Sequence, residues 1–213
     1  MIRYAATLLF AFSAVALGAS GNISKVNSSI HVEDGQQSGD VSTVNGSITI
    51  GRNAASREVE TVNGSIRLND HASAESVETV NGAITLGEGV VVSDGVSTVN
   101  GRLTMERGAR VGGRLENVNG EFVLKGATVG GGIETVNGDI LVGAGSKVDG
   151  GLTVKDNNSW AWRPKARNPR VTIESGAVVN GALRFEREVE LNVGTGAVVG
   201  PAEGVAPKRH GLP

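Results

Sequence analysis

From Ser47 onward the chain returns again and again to one short alternation of apolar and polar positions. Ile48-Thr49-Ile50 is followed by Ile66-Arg67-Leu68, Ile84-Thr85-Leu86, Leu103-Thr104-Met105, Phe122-Val123-Leu124 and Ile140-Leu141-Val142. The flanking positions are always apolar and the middle one mostly polar. This predicts a short strand with two side chains inward and one outward. Each triplet follows a Val-Asn-Gly, and in all but one of the six copies Thr precedes it. The Asn-Gly pairs are Asn45-Gly46, Asn63-Gly64, Asn81-Gly82, Asn100-Gly101, Asn119-Gly120 and Asn137-Gly138. The asparagines advance by 18, 18, 19, 19 and 18 residues, and Asn27 supplies a degenerate earlier copy.

One full period, Val77 to Asp94, holds three β-forming runs: Val77-Glu78-Thr79-Val80, Ala83-Ile84-Thr85-Leu86 and Val90-Val91-Val92. Asn-Gly or Gly closes each run, which suits short strands joined at corners. Glycine and β-branched residues fill nearly every window and exclude helices. The third run sharpens later into Gly-Ala-x-Val-x-Gly, at Gly108–Gly113 and Gly126–Gly131, with Gly145–Gly150 a close variant. The expected fold is therefore all-β, a single-stranded parallel β-helix (β-solenoid) of about 18 residues per coil and roughly triangular section. Nine coils at ~4.8 Å each would make it about 40 Å long. Asn-Gly also suits hairpins, but a hairpin does not explain a period of one whole circuit.

Stacking predicts ladders. The asparagines should bond to one another at a corner where the following glycine takes φ > 0. In Val59-Glu60-Thr61-Val62 simple alternation would put Thr61 in and Val62 out. The recurrence of valine at all six copies favours a bend that returns it to the core, so the direction of the threonine column stays open.

The first twenty residues depart from this rhythm. Met1-Ile2-Arg3-Tyr4 is followed by a mostly apolar stretch to Leu17 and small residues at Gly18-Ala19-Ser20-Gly21, the plan of a secretory signal peptide. That stretch is shorter than the ~20 residues a membrane-spanning helix needs, so no transmembrane helix is expected after cleavage. The expected organisation is a signal peptide over 1–20, a solenoid over 21–204 with an inserted loop at 156–170, and a polar tail over 205–213. Export would place the chain in the periplasm of a bacterium, at its cell surface or secreted from it. Without Arg3 the mature chain has 19 basic and 22 acidic residues, and nothing in it points to a nucleic-acid partner. There is no cysteine, so burial and hydrogen bonding must hold the fold without disulfides.

The insertion is the one compositional break. It carries Trp160, Trp162, Arg163, Lys165, Arg167 and Arg170, both tryptophans of the protein and four cations with no acid between Asp156 and Glu174. Aromatics beside cations suit an envelope glycan or another anionic polymer, which makes this segment the best candidate for a binding site. The blander and favoured reading is that the same tryptophans fold back over apolar surface. Stacking also sets Glu60 beside Glu78 and Glu116 beside Glu134. Single carboxylates one coil apart are a thin source of calcium ligands, and His31, His71 and His210 have no ligand spacing. No metal, cofactor or catalytic residue is expected. Glycoside cleavage by a carboxylate pair finds no compact acidic pair on an insertion. The threonine columns are too interrupted, by Asn117 and Arg67, for an ice-binding array.

The Val-Asn-Gly-x-Ile-x-Leu repeats resemble those of bacterial adhesin β-solenoid domains. The Gly-Ala-x-Val-x-Gly segments resemble bactofilins, bacterial cytoskeletal proteins that form polymers. Together these similarities run from about Val26 to Gly200. They imply end-to-end assembly into homo-oligomers and a scaffolding role in the cell envelope, and they bring no catalytic residues. Bactofilins are typically cytoplasmic, whereas this chain carries an export signal.

Overall fold

The computed structural model describes residues 21–156 and 167–211. These residues form a parallel β-solenoid of about nine turns and about 19 residues per turn, without a helix. The turn is slightly longer than the expected 18 because several coils take an extra residue, as between Val92 and its partner Val111.

Three sheets make the three faces. The first runs from Ile23–Lys25 through Val41–Asn45, Glu58–Asn63 and Ser76–Asn81 up to Ala202–Gly204. The second starts at Ile30–Val32 and Ile48–Ile50 and ends at Lys208–Gly211, while the third consists of two-residue strands from Ser73–Ala74 to Val198–Val199. Every strand pairs in parallel with its counterpart one coil away, as Ile48 with Ile66 and Leu103 with Phe122. The insertion leaves this order intact: Ile140 pairs with Val171 and Leu152 with Leu183 across it.

The predicted aliphatic ladders form the core. Ile48, Ile66, Ile84, Leu103, Phe122 and Ile140 are buried, as are Ile50, Leu68, Leu86, Met105, Leu124 and Val142. Each such side chain contributes roughly 1.5–3 kcal/mol once removed from water, and it reaches that state only between two neighbouring coils. The third face tapers toward the N-terminus, where its inward column falls from Val111 and Val92 to Ala74, Ser56 and Ser38. The Ser38 and Ser56 hydroxyls bond to each other at 2.8 Å, which satisfies two buried polar groups in the narrow end.

The threonine column faces inward. Thr43, Thr61, Thr79, Thr98 and Thr135 are buried, and the first four donate to backbone carbonyls one coil below: Ser28, Gly46, Gly64 and Gly82, at 3.0–3.2 Å. Asn117, the exception in sequence, makes the equivalent bond from its Nδ2 to the Gly101 carbonyl at 2.8 Å. The valines correct the expectation of a bend: Val44, Val62, Val80, Val99 and Val118 stay partly exposed on the outer face. Strict alternation wins because the inward hydroxyl is already satisfied by a carbonyl. Only Val136, at 7% exposure, turns in.

A second correction concerns φ. Among the six Asn-Gly glycines only Gly120 has a positive value, 156°. Apart from Gly132 and Gly204, the other positive-φ residues form one column at a different corner: Gly35, Asn53, His71, Gly89, Gly108, Gly126, Gly145, Gly176 and Gly196, with φ between 53° and 77°. The Asn-Gly glycines are needed because the coils nearly touch there. A Cβ on Gly64, Gly82 or Gly101 would fall onto the carbonyl oxygen of Gly46, Gly64 or Gly82 below.

At the C-terminus, the stretch expected to be a polar tail contains the strand Lys208–Gly211, paired with Glu190–Val193.

Candidate functional surfaces

The outer side of the first sheet is the most regular surface of the molecule. A half-exposed valine column, Val44, Val62, Val80, Val99 and Val118, runs along the solenoid axis. Beside it the register stacks Glu60 on Glu78 and Glu116 on Glu134, with Ser97 between the two pairs. Glu134 is paired with Lys155. Glu60 and Glu78 have no cationic partner among the described residues. Both carboxyls are held above the ordinary carboxylate range, first by partial burial against neighbouring strands and then by nearby carboxylates. Among the described residues no three His, Asp or Glu side chains come together to hold a metal ion.

On the other side of the valines stands the asparagine ladder. Each Nδ2 donates to the Oδ1 one coil below: Asn45 to Asn27, Asn63 to Asn45, Asn81 to Asn63, Asn100 to Asn81, Asn119 to Asn100 and Asn137 to Asn119, all at 2.9–3.0 Å. The ladder ends where the insertion begins. There Arg187 donates from Nη1 to the Asn137 Oδ1 at 2.8 Å. An arginine 50 residues on thus supplies the donor that a further asparagine would have given.

Of the six residues expected to bind an anionic polymer, Trp160, Trp162, Arg163 and Lys165 lie outside the described residues. The other two are engaged within the protein. Arg167 donates from Nη2 to Asp139 Oδ2 at 2.6 Å. Arg170 reaches Glu190 at 3.4 Å, and its backbone N–H donates to Asp139 Oδ1 at 2.8 Å. Asp139 and Glu190 therefore fasten the end of the insertion to the coils on either side. Local sequence does not reveal these pairs, because the partners lie 28 and 20 residues away and meet only through stacking.

The two ends of the stack differ. At the N-terminal end the strands Ile23–Lys25 and Ile30–Val32 begin the first and second sheets, each with one neighbour among the described residues. They begin the core ladders with Ile23, Ile30 and Val32. At the C-terminal end the aliphatic register stops. Ala202 and Gly204 pair with Leu183 and Phe185, and Arg209 and Gly211 pair with Leu191 and Val193. Two ion pairs fix this last coil, Arg184–Glu203 at 3.1 Å and Lys208–Glu188 at 2.7 Å. Pro207 removes a backbone donor from its edge.

Among the described residues these features define a regular three-faced solenoid with edge strands at both ends, its first coil carrying an aliphatic inner row and its last coil not. Comparisons of the chain with protein-family models, with curated proteins and with solved structures returned no match.

Proposed function

We propose that this chain is a noncatalytic, exported structural or adhesin-like protein of a bacterial cell envelope, a rigid rod that associates with a second copy through its N-terminal coil. The observation that supports this reading is the contrast between the ends. An edge strand with free N–H and C=O groups and an aliphatic inner row is a template for another chain. The last coil instead interrupts its inner row with alanine, glycine and arginine and holds itself in place with ion pairs. One adhesive end favours a closed, two-fold pair of rods over an open filament.

The test is the mass of the mature chain, residues 22–213, by light scattering over a wide concentration range, with electron microscopy of the same samples. Concentration-dependent dimers that His31→Pro, at the exposed position of the edge strand Ile30–Val32, abolishes by removing a free backbone donor, without loss of the β-sheet circular dichroism signal, are the expected result. A monomer at every concentration would overturn the assembly reading and direct attention to ligands of the Trp160–Arg170 segment. Long filaments would overturn the assignment of a single adhesive end.

A further inference from the structure

The six Asn-Gly pairs share one chemical liability. In such a pair the backbone nitrogen of the glycine can attack the side-chain carbonyl carbon of the asparagine, because glycine has no Cβ to crowd the approach. Five of the pairs are restrained by the fold. The N–H groups of Gly46, Gly64, Gly82 and Gly101 donate to the carbonyls of Asn63, Asn81, Asn100 and Asn119 in the next coil, at 3.0–3.1 Å. The Gly138 N–H donates to the Thr135 hydroxyl at 3.0 Å. An N–H held in such a bond must give it up before its nitrogen can attack.

Gly120 breaks the series. Its N–H has no acceptor among the described residues, and its φ of 156° sets it apart from the other five. The cause lies one coil further on. There the first-sheet strand ends early, at Thr135, Val136 turns inward, and Thr135 bonds the glycine of its own corner. The Asn137 carbonyl, which by the pattern of the other coils would receive the Gly120 N–H, does not receive it. Exposure does not single this position out, since Asn45, Asn63, Asn81, Asn100 and Asn119 are all exposed.

We propose that Asn119 is a site of spontaneous deamidation in the folded protein. The Gly120 nitrogen bonds to Asn119 Cγ, the Cγ–Nδ2 bond breaks, and ammonia leaves with the proton from the Gly120 nitrogen, giving a cyclic imide. Water then opens the ring. Attack at Cγ yields aspartate, and attack at the main-chain carbonyl yields isoaspartate, whose backbone runs through Cβ and Cγ. Either product loses the Nδ2 donation to Asn100 and divides the asparagine ladder in two. Isoaspartate also lengthens the corner between the strands Arg114–Asn119 and Glu121–Leu124 by one carbon.

The test is peptide mapping by mass spectrometry of the folded mature chain aged in mildly alkaline buffer, beside a sample aged in denaturant. In the folded protein Asn119 should convert about five- to ten-fold faster than Asn63, Asn81 or Asn100, the factor expected from the loss of one backbone hydrogen bond in the others. In denaturant the rates should converge. Folded-state conversion of Asn119 no faster than theirs would overturn the proposal. So would the same spread of rates persisting in denaturant, which would assign the difference to local sequence. In Thr135→Val, which frees the Gly138 N–H while keeping the side-chain shape, Asn137 should approach the rate of Asn119. An unchanged Asn137 rate in a variant with native circular dichroism would refute control by the hydrogen bond.

Discussion

Two corners of the solenoid demand glycine for different physical reasons. At the Asn-Gly corner, Gly120 apart, φ is not positive, but successive coils approach so closely that a Cβ on Gly82 would strike the Gly64 carbonyl oxygen. At the left-handed corner the backbone leaves room, and only at Gly89 would a Cβ meet a close neighbour, the His71 side chain: a Cβ on Gly126 would come no nearer than 3.7 Å to any atom outside its own neighbours, yet its φ is 64°. One corner forbids a side chain by collision and the other only penalises it by torsion. The natural substitutions agree. The left-handed column accepts Asn53 and His71 within the stack, whereas the asparagines of the ladder are followed by another residue only in the first coil, at Ser28, where no described coil lies beneath it.

The sharpest way to break this comparison is to place alanine at each corner in turn. Gly82→Ala must push two coils apart along their shared carbonyl, and we expect it to cost about 3 kcal/mol, the upper range for overpacking a well-packed interior. Thr79→Val at the same corner removes the donor to the Gly64 carbonyl. It leaves a partly buried acceptor without its partner, at a cost of about 1–2 kcal/mol. Gly126→Ala should cost only about 1 kcal/mol, the torsional penalty of a left-handed L-residue, and Gly126→Asn less. Thermal unfolding followed by circular dichroism ranks the four. Equal losses for Gly82→Ala and Gly126→Ala would erase the distinction between the corners.

The same contrast explains what could be read in the chain beforehand. The aliphatic ladders were legible because period-two alternation and a repeat near 18 residues specify both the inward face and its partner one coil away. The asparagine ladder followed from the same spacing. The reasons for glycine were not legible, since the residue reports that a Cβ is excluded and not whether collision or torsion excludes it. His71 hides the left-handed column further, because nothing in its type announces φ of 60°. The strand Lys208–Gly211 is not legible in the pattern because Arg209 and Gly211 stand where earlier coils place aliphatics. Among the candidate binding residues, Arg167 and Arg170 looked free because their carboxylate partners are distant in sequence.

The smallest expected effect concerns the glutamates beside the valine column, and its sign is opposite to that of a paired carboxylate. Glu60 and Glu78 titrate above the ordinary carboxylate range in the folded protein, because partial burial and like charge disfavour their ionised forms. The folded state therefore holds these protons more tightly than the unfolded chain. Their effect on stability is most favourable below the unfolded value, roughly pH 4.3, and it is lost as pH rises through the elevated folded values. Glu78→Gln removes one member of the pair and lets the Glu60 carboxyl fall back toward its ordinary range. At neutral pH the variant should be more stable than the parent by less than about 1 kcal/mol, the scale of partly solvated charge interactions. The difference should shrink on mild acidification. By contrast, Glu134→Gln deletes the partner of Lys155 and should destabilise slightly at neutral pH. Unfolding midpoints of both variants across that pH range decide the matter: a loss of stability in Glu78→Gln at neutral pH would mean that its carboxylate is attracted to a cation rather than repelled by its neighbour.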